Sequence, residues 1–258
     1  MAATYEIYAL NQAGRTVDWS LRLYSYPPGE TARSAYFLWV LHGPAGPIVV
    51  DTGFTPHQAA IQRVALENLR TREELLAAAG VDPASVPTVI LTHLHWDHFD
   101  VEGMFSQATF WVQRRELEFW TGYGTRERWH RRGVTDCFAA DVAALRSSGR
   151  LRLVDGTADV TDGVTLEWVG GHTPGLQIVV VRTASGGFVL ANDALTTYRN
   201  LRDWMPPGAH LNSIAECLDA MARIQTLSGG DESRMCPGHD DEVRTRFPQV
   251  KPGLYRLA

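Results

Sequence analysis

The chain has 258 residues, a net charge of −5, 45% hydrophobic residues and 21% charged ones. This is the balance of a globular protein with a substantial core, and its acidic excess argues against nucleic acid or an anionic membrane as partner. No apolar run approaches the roughly 18 residues that span a bilayer, and Met1–Tyr8 lacks the basic-then-apolar order of a signal peptide.

From Tyr5 to Val50 the pattern is short apolar or alternating segments. Ala35–Leu41 and Pro47–Val50 flank Gly43–Gly46 and predict a β-hairpin. Its second strand runs into Asp51-Thr52-Gly53, where the carboxylate either forms a turn or stands behind a metal ligand and orients it. His57 to Gly80 reads as helical, with a capping box at Thr71–Glu74 and Gly80 as its stop. Thr88–Leu91 is a short buried strand, and Ala108–Val112 is a strand leading into a helix over Gln113–Trp120. Phe119–Gly133 mixes Trp120, Tyr123 and Trp129 with four arginines and reads either as an aromatic lid or as a solvated helix end. Strands are predicted at Leu166–Val169, Gln177–Arg182, Phe188–Ala191 and Arg234–Cys236, with a helix over Ser213–Leu227 capped by Ser213 and Glu216. Without an internal repeat or a low-complexity linker, residues 1–258 are expected to form a single domain. Three cysteines (Cys137, Cys217, Cys236), odd in number and widely spaced, predict reduced thiols and a cytoplasmic location. Cys236 is expected to be a buried small residue, although it lies near His239.

The densest chemistry is His93-Leu-His95-Trp-Asp97-His98, directly after the Thr88–Leu91 strand. A chance match to this pattern is expected in roughly one such chain per thousand or more. Imidazole and carboxylate suit zinc and similar divalent ions. His93 and His95 can aim two nitrogens at one ion, and Asp97 and His98 can serve a second beside it. Three further predicted strands end in His172, Asp193 and His239. The set comprises five imidazoles and two carboxylates. A closed structural zinc site needs four ligands, whereas seven suit two ions that share a carboxylate and leave a position for water. Water shared by two divalent ions becomes hydroxide near neutral pH, so the pattern predicts a hydrolase that needs no serine or cysteine nucleophile. His42, His57, His130 and His210 are expected to be structural or superficial.

These motifs resemble the metallo-β-lactamase superfamily, from Ala35 to His239, with Asp51 matching its early strand-end aspartate. Within it the chain is most similar to the N-acyl-homoserine lactonases, through Gly171-His172-Thr-Pro-Gly175, Asp193-Ala194 and Pro237-Gly-His239-Asp240. The resemblance implies an α/β fold, a four-layer αββα sandwich with the site at one edge of two sheets. It implies that His93, His95 and His172 hold one divalent metal, that Asp97, His98 and His239 hold another, and that Asp193 bridges them. Zinc is the expected metal, with iron, manganese and cobalt open. Asp97 would also pass a proton to the leaving alkoxide. In such lactonases a tyrosine three residues after the bridging aspartate hydrogen-bonds the substrate carbonyl. Here that position is Thr196, with Tyr198 two residues later as the other candidate, and Trp96 stands where phenylalanine is usual. The resemblance therefore implies a quorum-quenching lactonase, with a small lactone or ester as partner and a homodimer left open. The alternatives are a hydrolase of another small ester, thioester or amide and a non-catalytic metal-binding protein.

Overall fold

The segment Ala35–Leu41 shows no polar face because both of its faces are buried. Phe37, Trp39 and Leu41 enter one hydrophobic core, and Leu38 and Val40 enter another. A strand covered on both sides reads as a continuous apolar run and not as an alternation. The structure, a computed structural model, describes residues 2–44, 46–101, 103–126, 130–209 and 211–258. The expectations for Trp129 and His210 fall outside these residues, as does the side chain of His130.

Two sheets organise the chain. The first contains β1 (Glu6–Asp18), β2 (Thr31–His42), β3 (Ile48–Val50), β4 (Thr88–Ile90), β5 (Thr109–Gln113) and β6 (Leu151–Val154). The second contains β7 (Ala158–Thr161), β8 (Val164–Trp168), β9 (Gln177–Thr183), β10 (Gly186–Asn192) and β11 (Met235–Pro237). Near the C-terminus β12 (Gln249–Lys251) and β13 (Leu254–Arg256) return to the first sheet, giving the order β12-β13-β1-β2-β3-β4-β5-β6 beside β11-β10-β9-β8-β7. The expected hairpin is β2–β3, antiparallel with Trp39 opposite Val50 and Leu41 opposite Ile48.

Trp39, Val50 and Ile90 of the first sheet pack with Leu166, Ile178 and Leu190 of the second. Helix α6 (Ile214–Ser228) packs Ala220, Met221 and Ile224 on the second sheet, where they join the same buried cluster. Helices α1 (Pro56–Gln62), α2 (Arg72–Ala78), α3 (Arg114–Thr121) and α4 (Phe138–Ser147) come earlier in the chain. Of these, α2, α3 and α4 cover the other face of the first sheet through Leu75, Leu76, Leu117, Trp120 and Leu145. The layers are helix, sheet, sheet and helix, the expected αββα sandwich. Two short helices, α5 (Tyr198–Arg202) and α7 (Val243–Arg246), complete the set. Among the described residues no helix is long and apolar enough to cross a membrane.

Two local expectations are corrected. The predicted helix from His57 to Gly80 is two helices, because Arg63 takes a left-handed conformation (φ 54°) and Glu67 then pairs through its backbone with Gly14 of β1. Residues 64–70 include good helix formers (Ala65, Leu66, Glu67, Leu69, Arg70), so the break is set by the tertiary backbone pairing of Glu67 with Gly14 and not by local propensity. The capping box at Thr71 and Glu74 forms as expected and starts the second helix. The segment before Val50 is also more regular than expected. β1 and β2 pair from Glu6–His42 out to Asp18–Thr31, although β13 reaches only Tyr8–Leu10 and β3 only Trp39–Leu41. The outer half of this hairpin is therefore an arm beyond the sheet.

Trp39 is fully buried between the sheets. Trp39→Ala is expected to cost about 3–5 kcal/mol of stability, read from urea unfolding midpoints with the slope unchanged.

Candidate metal centre

The ligand-rich loop begins where β4 ends, because Leu91 is the last residue of that strand's apolar run to enter the core. His93 Nε2 and His172 Nε2 each lie 3.0 Å from His95 Nδ1. Tetrahedral coordination with bonds of 2.0–2.1 Å places neighbouring nitrogens about 3.3 Å apart, so the three can share one ion. Asp97 Oδ2 lies 3.6 Å from both His98 Nε2 and His239 Nε2, forming a second cluster.

Asp193 faces both clusters. Its Oδ2 stands 3.2 Å from His172 Nε2 and 4.0 Å from His93 Nε2. Its Oδ1 stands 3.2 Å from His239 Nε2 and 3.7 Å from His98 Nε2. His98 Nε2 and Asp193 Oδ1 are buried without a hydrogen-bond partner. Such atoms are costly in a folded interior unless a ligand satisfies them, and an imidazole–carboxylate set of this kind fits divalent cations.

The profile of the metallo-beta-lactamase superfamily matches residues 28–239. The chain belongs to the metallo-beta-lactamase superfamily. Its curated relatives include an N-acyl homoserine lactonase AttM of Azorhizobium caulinodans, 33% identical over 69% of this chain and 66% of that protein. Another is an N-acyl homoserine lactonase of Bacillus cereus, 26% identical over 83% of this chain and 85% of that protein. Among solved structures, a quorum-quenching N-acyl homoserine lactone lactonase superimposes with a TM-score of 0.78 at 23% identity, covering 98% of this chain and 99% of that one. AidC, a dizinc quorum-quenching lactonase, superimposes with a TM-score of 0.66 at 15% identity over 99% of this chain and 97% of that one.

In this superfamily member the clusters are set by the ends of strands in both sheets. Asp51, just past β3, and Asn192, the last residue of β10, both adopt positive φ (58° and 49°), a conformation that Asp and Asn tolerate better than most residues. Asp51 Oδ2 then meets His98 Nδ1 at 2.8 Å and Asn192 Nδ2 at 2.5 Å, and the amide of Thr92 donates to Oδ1 at 2.7 Å. Of the two roles open to Asp51 in the sequence, the structure shows the orienting one, reached through an unusual turn. Glycine is needed beside two of the histidines. Gly171 has φ +89° and lies against the Cys217 backbone, and a Cβ on Gly238 would press into the Asp193 carboxylate.

The charges favour a cation. Burial alone would lower the pKa of His98, but Asp97, Asp193 and Asp51 outweigh it and push it up to about 10. Burial would raise that of Asp193, yet His239, His98 and His172 hold it well below the usual carboxylate range. His93 is held well below 6.5 by burial and the neighbouring imidazoles, so it presents the neutral form that a metal requires.

Sequence reading missed Glu116. Fully buried on α3, it accepts from the Leu94 amide at 3.0 Å, Trp120 Nε1 at 2.8 Å and the Gly175 amide at 2.8 Å. It thereby ties the His93–His98 loop to the His172 loop. Glu216, expected to close a capping box with Ser213, instead accepts from the Gly171 amide at 3.0 Å, while Ser213 still caps α6. Nothing in a helical period distinguishes either acid from a solvated one.

A cavity of about 200 Å³ opens over the clusters. Asp97, His172, Asp193 and His239 form its floor, and Trp96, Tyr36 and Leu21 stand at its walls. Thr196 reaches it, but its hydroxyl proton goes inward, to the Arg22 carbonyl or Asn200 Oδ1, each at 3.1 Å. Tyr198 does not reach it. That side chain is fully buried and donates to the Met235 carbonyl at 3.0 Å, because two positions along the chain the first turn of α5 points into the core. Cys236 packs in the core between the sheets, His42 Nε2 lies 3.0 Å from the Ala79 carbonyl and His57 Nε2 lies 3.3 Å from Asp136 at the surface. None of the three belongs to the clusters.

Asp51→Asn removes the charge behind His98 and is expected to weaken metal retention about 10- to 100-fold while the fold survives. Metal per chain after competition with a graded chelator, beside an unchanged circular dichroism spectrum, measures it.

Proposed function

We propose that this chain is a binuclear metal-dependent hydrolase that opens a lactone ring, of an acyl-homoserine lactone or a related small lactone. The observation that carries this reading is the Asp193 carboxylate, with one oxygen toward each histidine cluster. The lactonase names of the relatives support the same bond class, and with it a quorum-quenching role. His93, His95 and His172 would hold one divalent ion, Asp97, His98 and His239 the other, and Asp193 both. Zinc suits this mixed nitrogen and oxygen set, as in the dizinc relative. Two such ions would supply hydroxide near neutral pH and polarise the carbonyl under attack.

The protein's own groups do the rest. Asp97 opens on the cavity and is assigned to return a proton to the leaving oxygen once the ring carbon–oxygen bond breaks. Asp51 and Glu116 hold the ligand loops in register, so little reorganisation accompanies reaction. Trp96 and Tyr36 exclude water from one side of the floor. Thr196, with its proton directed inward to the Arg22 carbonyl or Asn200, shapes the wall and is not assigned to donate to the substrate carbonyl. The absence of the usual tyrosine there keeps another small ester as a second reading on the same machinery, and a cavity this small favours short substrates in either case. The three unpaired cysteines accord with a reducing compartment, the cytoplasm.

Hydrolysis of γ-butyrolactone and of short and long acyl-homoserine lactones, followed by acid release, tests the reading. Turnover is expected with at least one short lactone, to vanish on chelation and to return with added divalent ions. Asp193→Ala is expected to lose more than about 10³-fold in kcat/KM and to fall below two ions per chain by metal analysis. Retained metal with no turnover of any lactone or ester would leave a metal-binding protein.

A further inference from the structure

The cavity contains two cations that the metal chemistry does not use. Arg15, on the projecting half of β1, and Arg22, just beyond that strand, both line it. Arg22 is only 6% exposed. Its Nη2 donates to Ser34 Oγ at 2.5 Å, and Ser34 Oγ in turn donates to the His239 carbonyl at 3.2 Å. The Arg22 carbonyl accepts from Asn200 Nδ2 at 2.9 Å and lies 3.1 Å from Thr196 Oγ1. The guanidinium is therefore held in place from both ends, against the backbone of a metal-cluster residue. Arg15 stands over the Tyr36 ring, 5.7 Å from its centre.

Neither guanidinium is neutralised. The Nε atoms of both are buried without a hydrogen-bond partner, and among the described residues no carboxylate forms a salt bridge with either. The carboxylates whose charge reaches Arg22 are Asp193 and Asp97, which already face the histidine clusters. The charge balance leaves nothing over. Asp51, Asp97 and Asp193 with one hydroxide would match two divalent ions, so both arginines would remain as excess positive charge in a half-closed cavity. An uncompensated buried cation is costly, and a guanidinium fork is the donor array that suits a carboxylate.

From this geometry we infer that Arg15 and Arg22 form an anion subsite, and that the substrate is a small lactone or ester bearing a carboxylate away from the scissile bond. The inference rests on the lactone-hydrolase reading and sharpens it. Leu21, Val64 and Ala209 leave an apolar strip beside the arginines for a short carbon skeleton. A long, neutral acyl chain would leave both cations unpaired.

The test compares a butyrolactone carrying a ring carboxylate with its carboxamide, using the metal-loaded full chain. The carboxylate substrate is expected to be preferred by at least about tenfold in kcat/KM, mostly through KM, with the preference shrinking as salt is raised. Arg22→Met and, since that variant could misfold, the more exposed Arg15→Gln are each expected to reduce the preference ratio about tenfold or more. Calorimetric binding of succinate provides a readout independent of turnover and should weaken by a similar factor in Arg15→Gln. Equal use of the two lactones by the wild-type chain, or an unchanged ratio in both variants, overturns the anion subsite and leaves the lactonase reading standing. Arginine-dependent succinate binding without turnover of either lactone overturns the lactonase reading and the substrate assignment, and leaves the anion site.

Discussion

The structure depends on one carboxylate being shared between two sets of imidazoles. Asp193 lies at the end of a second-sheet strand, yet it faces histidines presented by the first sheet (His93, His98) and by the second (His172, His239). Five imidazoles and two carboxylates packed this closely are tolerable in a protein interior only if each nitrogen and oxygen has a partner or a cation to meet. The sheets must therefore meet with their edges in fixed register. The core between them, centred on Trp39 and Leu190, holds that register.

Behind the clusters lies a layer of acids that hold the loops and do not face the cavity. Asp51 fixes His98, Glu116 joins the first histidine loop to the second, and Glu216 holds the turn before His172. Each accepts backbone amides that a loop would otherwise leave unsatisfied, so the same bonds complete the fold and aim the imidazoles. Left-handed backbone at Asp51 and Asn192 is part of this arrangement, because it turns two strand ends toward each other until their side chains meet.

The floor and the wall of the cavity are built from different parts of the chain. The ends of strands from both sheets make the floor. The projecting half of the β1–β2 hairpin and the segment joining its strands supply Arg15, Arg22 and Tyr36 to the wall. The arm has no other strand beside it, but it braces the second cluster, because His239 Nδ1 lies 2.9 Å from the Ala35 carbonyl and the Ala35 amide donates to the His239 carbonyl at 3.0 Å. The two guanidiniums line the cavity with Asp97 and Asp193 and form no carboxylate salt bridge among the described residues.

The amino-acid order alone determined the cluster residues from His93 to His98 and the strand-end histidines with their glycines, whereas the αββα layering followed from the family resemblance those motifs carry. Those signals are local: residues at i and i+2 share a loop, and apolar runs broken by glycine mark strands whatever they pack against. Tertiary structure alone decided that Asp51 orients His98, that Glu116 and Glu216 brace the loops, and that the expected helix from His57 breaks at Arg63. It also decided that Tyr198 turns inward while Arg22, far from the histidines in sequence, lies above them. A lone acid or arginine has the same local pattern on a solvated face as in a buried one. Only the partner brought in from another part of the chain fixes its charge, its hydrogen bonds and its role.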